Sequence, residues 1–274
     1  MDEIKRITKD ELIEISSITG FRMDLLAKDY VLTEILYLLK DLPNIFFKGG
    51  TALQKTILHH SRLSEDIDFT LTSNVKTIDA EIIKILQKSK LFSTITHDRE
   101  YSKFTRIIIN YELFNEIKGN VFIDLNEKAK LELKPKKRNI EHFYKNNIPK
   151  FSINTLAEDE LIAEKLRATM QRNKPRDHFD VYQILKSGKK INILLTKKKC
   201  KNAGIEFSIP KMFNKANTLK NRWDSDMTPL LAEEIEFTTV IRYLAKKFNP
   251  KKEKKKSKEL KESLERINKN QNML

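Results

Sequence analysis

The stretch "FFKGGTALQKTILHHSRLSEDIDFTL" (residues 46–71) sets an adjacent glycine pair, Gly49 and Gly50, upstream of three acids, Glu65, Asp66 and Asp68. The whole chain of 274 residues has only six glycines, so the pair marks a backbone position with a special demand. "NIFF" (44–47) reads as a short buried strand, the glycines as a turn, "TALQKTILHH" (51–60) as a helix, and "DIDFTL" (66–71) as an alternating strand. Glycine lets backbone N–H groups approach an anion without a Cβ in the way. A helix starting near Thr51 aims its N-terminus at the same anion. Asp66 and Asp68, two apart on a strand, point to one side and can hold Mg2+ between them. Alone, Gly-Gly is a turn and Asp-x-Asp a solvated strand face. In this order and spacing they suit a nucleoside triphosphate (NTP) and its metal. No Gly-Lys-Ser/Thr follows the glycines, which excludes a Walker A loop.

The flanking sequence extends the pattern. Upstream, "TKDELIEISSITG" (8–20) carries a capping box at Thr8 and Glu11 and a glycine stop at Gly20. A second helix follows and ends before Pro43. Downstream, "VKTIDAEIIKILQKS" (75–89) has helical spacing, and "LFSTITHD", "FTRIIINYEL" and "GNVFIDLN" read as strands. The last of these contains Asp124, the one Asp in a strand-like apolar setting that could add a third carboxylate. From Asn154 onward the pattern is helical, with Asn154 and Thr155 as the expected cap of a helix carrying Lys165, Thr169 and Arg172 on one polar stripe. The expectation is an α+β fold: a mixed-sheet α/β domain (1–150), a helical domain (151–249) and a flexible basic tail (250–274).

Composition narrows the class. The chain carries 53 Lys and Arg against 38 Asp and Glu, a net charge of +15. From Lys246 onward there are eleven Lys and Arg against four Glu, so the tail supplies +7 of it. Such charge fits a phosphate-bearing partner or a solvated lysine surface. One cysteine, Cys200, excludes an internal disulfide, and its lysine-rich surroundings could depress its pKa. No apolar run reaches the length needed to span a bilayer, and no signal-peptide pattern opens the chain, so a cytoplasmic protein without a membrane partner is expected.

Three stretches, "DLLAKDYVLTEIL" (24–36), "FKGGTALQK…RLSEDIDF" (47–69) and "DELIAEKLRATMQRNKPRDHFDVYQIL" (159–185), together resemble the AbiEii/AbiGii toxin family of nucleotidyltransferases, within the DNA polymerase β-like superfamily. The resemblance implies an enzyme that transfers an NMP moiety from an NTP with Mg2+, or alternatively Mn2+. It implies a toxin with a cognate antitoxin protein and RNA, in particular tRNA, as acceptor. Gly49, Gly50 and Thr51 would hold the triphosphate, with Ser64 near the nucleotide. Asp66 and Asp68 would bind the metal, and Asp124 would act as ligand or general base. Lys165 would meet the phosphates as a point charge and Arg172 would follow it. Asp177 and Asp180 have two readings: part of the nucleotide site, or capping acids of the next helix with Arg176 paired to Asp180. Two alternatives to RNA transfer stay open, modification of a protein or small molecule, and a nucleotide- or RNA-binding module without turnover.

Overall fold

A computed structural model describes residues 4–89, 92–128 and 130–255. Helix α1 (Lys9–Thr19) begins at the Thr8/Glu11 capping box and stops at Gly20, whose φ of 76° suits a residue without a Cβ. Helix α2 (Met23–Leu39) is buried along most of its length and forms the spine of the α/β part. The glycine segment follows as β1 (Ile45–Lys48), α3 (Gly49–Thr56) and β2 (Asp66–Leu71). Helix α4 (Val75–Gln87) turns Val75, Ile78, Ile82 and Leu86 inward at helical spacing.

Strands β3 (Thr94–Tyr101), β4 (Phe104–Leu113) and β5 (Ile117–Asn126) form an antiparallel meander. Alternation places Ile107, Ile109, Val121 and Ile123 on its buried face. Two further strands, β6 (Lys136–Asn139) and β7 (Ser152–Thr155), complete a seven-stranded sheet in the order β3-β4-β5-β2-β1-β7-β6. The sheet is mixed, because β2 runs parallel to β5 and β1 parallel to β7 while the other pairs are antiparallel. This topology sets the ends of β1, β2 and β5 side by side, with Lys48 opposite Asp68 and Asp68 opposite Asp124.

The remainder is helical: α5 (Glu158–Gln171), α6 (Pro175–Lys186), α7 (Ile193–Asn202), α8 (Ala216–Asn221), α9 (Trp223–Met227) and α10 (Phe237–Phe248). It has its own core around Phe179, Trp223 and Val240, where the Trp223 indole N–H donates to the Ile235 carbonyl at 2.7 Å. Helix α5 joins the two cores, giving Leu161 and Ile162 to the sheet side and Leu166 to the helical side. Both ends of the cleft described below are therefore held by one rigid element.

Two details differ from the sequence reading. Asn154 and Thr155 lie in β7, and α5 starts later, after Ala157, with no side-chain cap. Glu158, Asp159 and Glu160 in its first turn complement the helix dipole instead. Cys200 is buried, and burial raises its thiol pKa despite the neighbouring cations. Of the basic tail, residues 250–255 are helical and 256–274 lie outside the described residues. Among the described residues no helix is long and apolar enough to cross a membrane.

The spine carries one costly group. Glu34 is buried in α2 and its Oε1 has no hydrogen-bond partner. Burial pushes its carboxyl up to about 7 from an ordinary 4.5. A group whose pKa is higher folded than unfolded holds its proton better in the folded chain, so its contribution to stability is full below pH 4.5 and is lost as pH rises through about 7. Glu34→Gln removes that loss. The variant should melt roughly 5–10 °C above the parent at pH 8, from a term on the order of 3 kcal/mol, with the gap closing by pH 5. Melting curves across that range check it, and a pH-independent gap would refute the assignment.

Candidate active site

The site grows from the β1–α3 corner. Lys48 ends β1 in an extended conformation and Gly49 turns at φ 78°, a left-handed value that an L side chain resists. A Cβ on Gly49 would also stand 2.0 Å from Asp68 Oδ2. The turn and the β2 acid are thus packed together, and position 49 has no room for a side chain. At Gly50 a Cβ would meet Arg62 Nη2 at 3.0 Å, Ser64 Oγ at 3.1 Å and Lys165 Nζ at 4.0 Å. Thr51 is buried, and its hydroxyl donates to the Asp66 backbone carbonyl, fastening the start of α3 to the start of β2. Its side chain is spent on that bond, which leaves backbone N–H groups as what the turn can offer an anion.

Asp66 and Asp68 are half-buried on one side of β2, and neither carboxylate has an ion-pair or hydrogen-bond partner among the described residues. Burial raises both pKa values, Asp68 to about 6; Glu65 and Asp124 push Asp66 the same way, and Asp124 and Asp66 do so for Asp68, against the opposing charges of Arg176 and Lys48. Two unpaired carboxylates that repel each other at a cleft are a donor set that fits a divalent cation. A cation bound there would remove the repulsion.

Asp124 stands beside Asp68 in register, but its oxygens accept from Arg106 Nε and Nη2 at 2.6 and 2.7 Å. Arg106 is its directly opposed residue on β4, so the ion pair is a cross-strand contact. Among the described residues no group of three or more acid, His or Cys side chains converges to hold a metal. Mg2+ is ordinarily held by one or two carboxylates together with substrate phosphates, which the Asp66/Asp68 pair can satisfy.

Lys165 reaches the same corner from α5. Its side chain is 7% exposed, and Nζ lies 3.0 Å from Asp177 Oδ1 and 2.9 Å from Asp180 Oδ2. Asp177 also accepts two bonds from Arg172, and Asp180 accepts two from Arg62 at 2.8 Å each and one from Gln54 at 3.0 Å. The partner of Asp180 is therefore Arg62, while Arg176 lies 3.7 Å from Glu65. Burial alone would raise both carboxyls. The Lys165 and Arg172 charges outweigh it at Asp177, and those of Arg62 and Lys165 at Asp180, so both stay below the usual carboxylate range. The result is an alternation Arg62–Asp180–Lys165–Asp177–Arg172, buried except at Arg172, which is exposed, with one positive charge in excess. Asp177 lies in the first turn of α6, and neither acid supplies the N-cap, which is Lys174. Arg172 stands just past the end of α5, and Thr169 turns back to the Leu166 carbonyl, so the expected stripe is Lys165 and Arg172 without Thr169.

A cavity of about 170 Å3 opens among Lys48, Gly50, Asp68, Glu164, Lys165 and Arg172. It gathers Gly49, Gly50, Asp68, Lys165 and Arg172 on its walls, with Ser64 below Gly50. Asp177 and Asp180 lie behind Lys165, fully buried. Sequence reasoning missed Arg62, Arg106, Gln54 and Glu164. Arg62 stood two residues from Ser64 in the quoted stretch, but its partner is 118 positions away.

A profile of the family described as "Nucleotidyl transferase AbiEii toxin, Type IV TA system" matches residues 30–254. Among solved structures, the chain is similar to MenT4, a nucleotidyltransferase toxin from Mycobacterium tuberculosis, at 17% identity and a TM-score of 0.65, covering 89% of each chain. It is also similar to JHP933 from Helicobacter pylori at 18% identity and a TM-score of 0.58, covering 89% of this chain and 99% of that one. At such identities the likeness speaks to the fold. A comparison with curated proteins matched none.

The Arg62–Asp180 pair makes a stability prediction. Removing one partner strands a buried charge and should cost about 3–5 kcal/mol in Arg62→Met or in Asp180→Asn. Removing both strands neither, so the double variant should be clearly less destabilised than the sum of the two. Denaturant midpoints give the cycle, and additivity within about 0.5 kcal/mol would mean that the pair is not coupled.

Proposed function

The chain belongs to the AbiEii nucleotidyltransferase toxin family of type IV toxin–antitoxin systems, and on that premise we propose that it transfers an NMP from an NTP to an RNA acceptor such as tRNA, with Mg2+. It is a nucleotidyltransferase, and its family implies an NTP substrate and a cognate antitoxin protein as partner. We place its action in the cytoplasm, where NTP and RNA meet. One observation carries the reading: Asp68, which shares one side of β2 with a second unpaired carboxylate at Asp66, faces a glycine turn and a buried lysine across a single cleft.

In this reading the chain does four things. The Gly49–Gly50–Thr51 backbone cradles the triphosphate at the start of α3, with Ser64 beneath the turn. Lys165 and Arg172, whose excess positive charge has no further carboxylate, neutralise the phosphates that become pyrophosphate. Asp66 and Asp68 would hold Mg2+, which would supply charge neutralisation to the substrate phosphates. Asp124 already accepts two bonds from Arg106, so we give it the proton of the attacking hydroxyl rather than a place in the metal's ligand set; each of its oxygens keeps a second lone pair. The acceptor oxygen forms its bond to the α-phosphorus as the α–β bridging bond breaks, and pyrophosphate leaves toward Lys165. Asp177 and Asp180 contribute by holding Lys165 charged and aimed. The helical part (151–249) supplies the second wall of the cleft as a separate domain on the α/β domain (1–150), and the basic tail (250–274) adds affinity for the RNA backbone.

The test is incubation of purified chain with Mg2+, each labelled NTP and total RNA. Label should enter RNA and pyrophosphate should appear, both abolished by chelation. Label in protein instead would replace the acceptor, and no pyrophosphate with any NTP would leave a binding module. Asp66→Asn and Asp68→Asn should each lower turnover by at least about a hundredfold with melting temperature kept, because neither carboxylate has a structural partner among the described residues. Gly49→Ala should also lower turnover by displacing Asp68, and should lower the melting temperature as well, since its left-handed φ and the Asp68 carboxylate both oppose a Cβ. Full turnover in all three variants would end the assignment.

A further inference from the structure

A second cavity, of about 350 Å3, opens beside the dyad and shares no lining residue with the first. The two lie near the start of β2: Asp68 lines the first cavity, while Glu65, just before Asp66, lines the second. The link from α5 to α6 also divides between them, with Arg172 on the first and Lys174 and Arg176 on the second.

The charges of this second cavity do not balance internally. Arg22 is matched by Asp24 at 2.7 Å, Arg222 by Asp226 at 2.7 Å, and Arg176 by Glu65 at 3.7 Å. Lys174 is left over, half-buried and without an ion pair among the described residues. It is the N-cap of α6, a twelve-residue helix, and Arg176 follows in the first turn. Cations at a helix N-terminus oppose the dipole, and Asp177, the acid of that turn, is already consumed by Lys165 and Arg172. The crowding shows on Lys174 itself, whose ammonium is pulled below its ordinary pKa by burial first and then by Arg176 and Arg172. Two cations at this helix start, with its one first-turn acid already engaged, form a charge arrangement that suits an anion.

We propose that this second cavity receives a phosphate group of the acceptor, bound by Lys174, Arg176 and the N-terminus of α6. The inference rests on the nucleotidyltransferase reading above. With pyrophosphate leaving toward Gly50 and Lys165, the attacking hydroxyl comes from the other side of the α-phosphorus, the Asp66 side, and Arg176 and Lys174 of this cavity are close enough to Asp66 for their charges to act on one another. A terminal nucleotide carries its phosphate one sugar away from its free hydroxyl, so one molecule can occupy the cavity and present the hydroxyl to the dyad. The acceptor class is therefore a phosphorylated sugar alcohol, an RNA 3′ end being the favoured source.

Lysine acylation of the full chain, read by peptide mass spectrometry, tests this without turnover. The probes are inorganic phosphate, a short single-stranded oligoribonucleotide, and sodium chloride at matched ionic strength. Phosphate and the oligoribonucleotide should each slow acylation of Lys174 about fivefold while exposed Lys220 is unaffected and chloride does nothing. In parallel, Lys174→Glu should weaken oligoribonucleotide binding roughly tenfold and reduce its salt slope by about 0.7 or more, with NTP affinity within about twofold of the parent. Protection by phosphate but not by the oligoribonucleotide keeps the cavity and removes RNA as the source. Oligoribonucleotide binding that neither shields Lys174 nor responds to Lys174→Glu overturns the cavity and leaves the RNA reading intact. Protection by neither probe, or an equal loss of NTP affinity in the variant, also overturns it.

Discussion

The alternation of charges from buried Arg62 through Asp180, Lys165 and Asp177 to exposed Arg172 is the constraint on which the rest of the site depends. Each member comes from a different place: the approach to β2, two positions on α6, one on α5 and the turn between those helices. None could be buried alone, since an uncompensated charge in the interior costs several kcal/mol. Together they are satisfied only if α5, α6 and the approach to β2 meet in one arrangement. The ion chain acts as a template for the cleft as much as a source of stability, and its excess positive charge sits where a polyanion would lie.

On that template the glycine turn and the β2 acids are set by sterics. Gly49 is required twice over, by its left-handed φ and by the Asp68 carboxylate that occupies the place of a side chain. The close approach puts the α3 backbone against the dyad without a water layer between. Thr51 fixes the same contact from the other end by bonding the Asp66 carbonyl. The geometry of the dyad is thus held by main-chain atoms, and its carboxylates stay free of protein partners. At Asp124 the opposite holds: Arg106 has taken both oxygens, which separates the carboxylate on β5 from the pair on β2 in chemical character although it is adjacent in register.

How much of this could be read from the chain depends on range. The capping box of α1, the inward face of α4 and the alternation of β4 and β5 were legible because each is a local pattern with its own period. So was the order of strand, glycines, helix and Asp-x-Asp, since turn chemistry and strand period are both properties of adjacent residues. Strands β6 and β7 were not legible. "KKRN" and "SINT" are four residues each and carry no apolar alternation, and they become strands by pairing with each other and with β1.

The sequence by itself therefore determined the α+β class, the position of the glycine turn and the identity of the dyad, because these follow from side chains two to twenty positions apart. Only the tertiary structure decided that Asp180 pairs with Arg62 rather than with Arg176, that Lys165 is buried between two acids, and that Arg106 holds Asp124. Each is a choice among many possible ion pairs in a chain that is one-third charged. Coulomb attraction has no sequence signature. Which cation meets which carboxylate is settled by the packing that excludes water from a few of them, and that packing is a property of the whole fold.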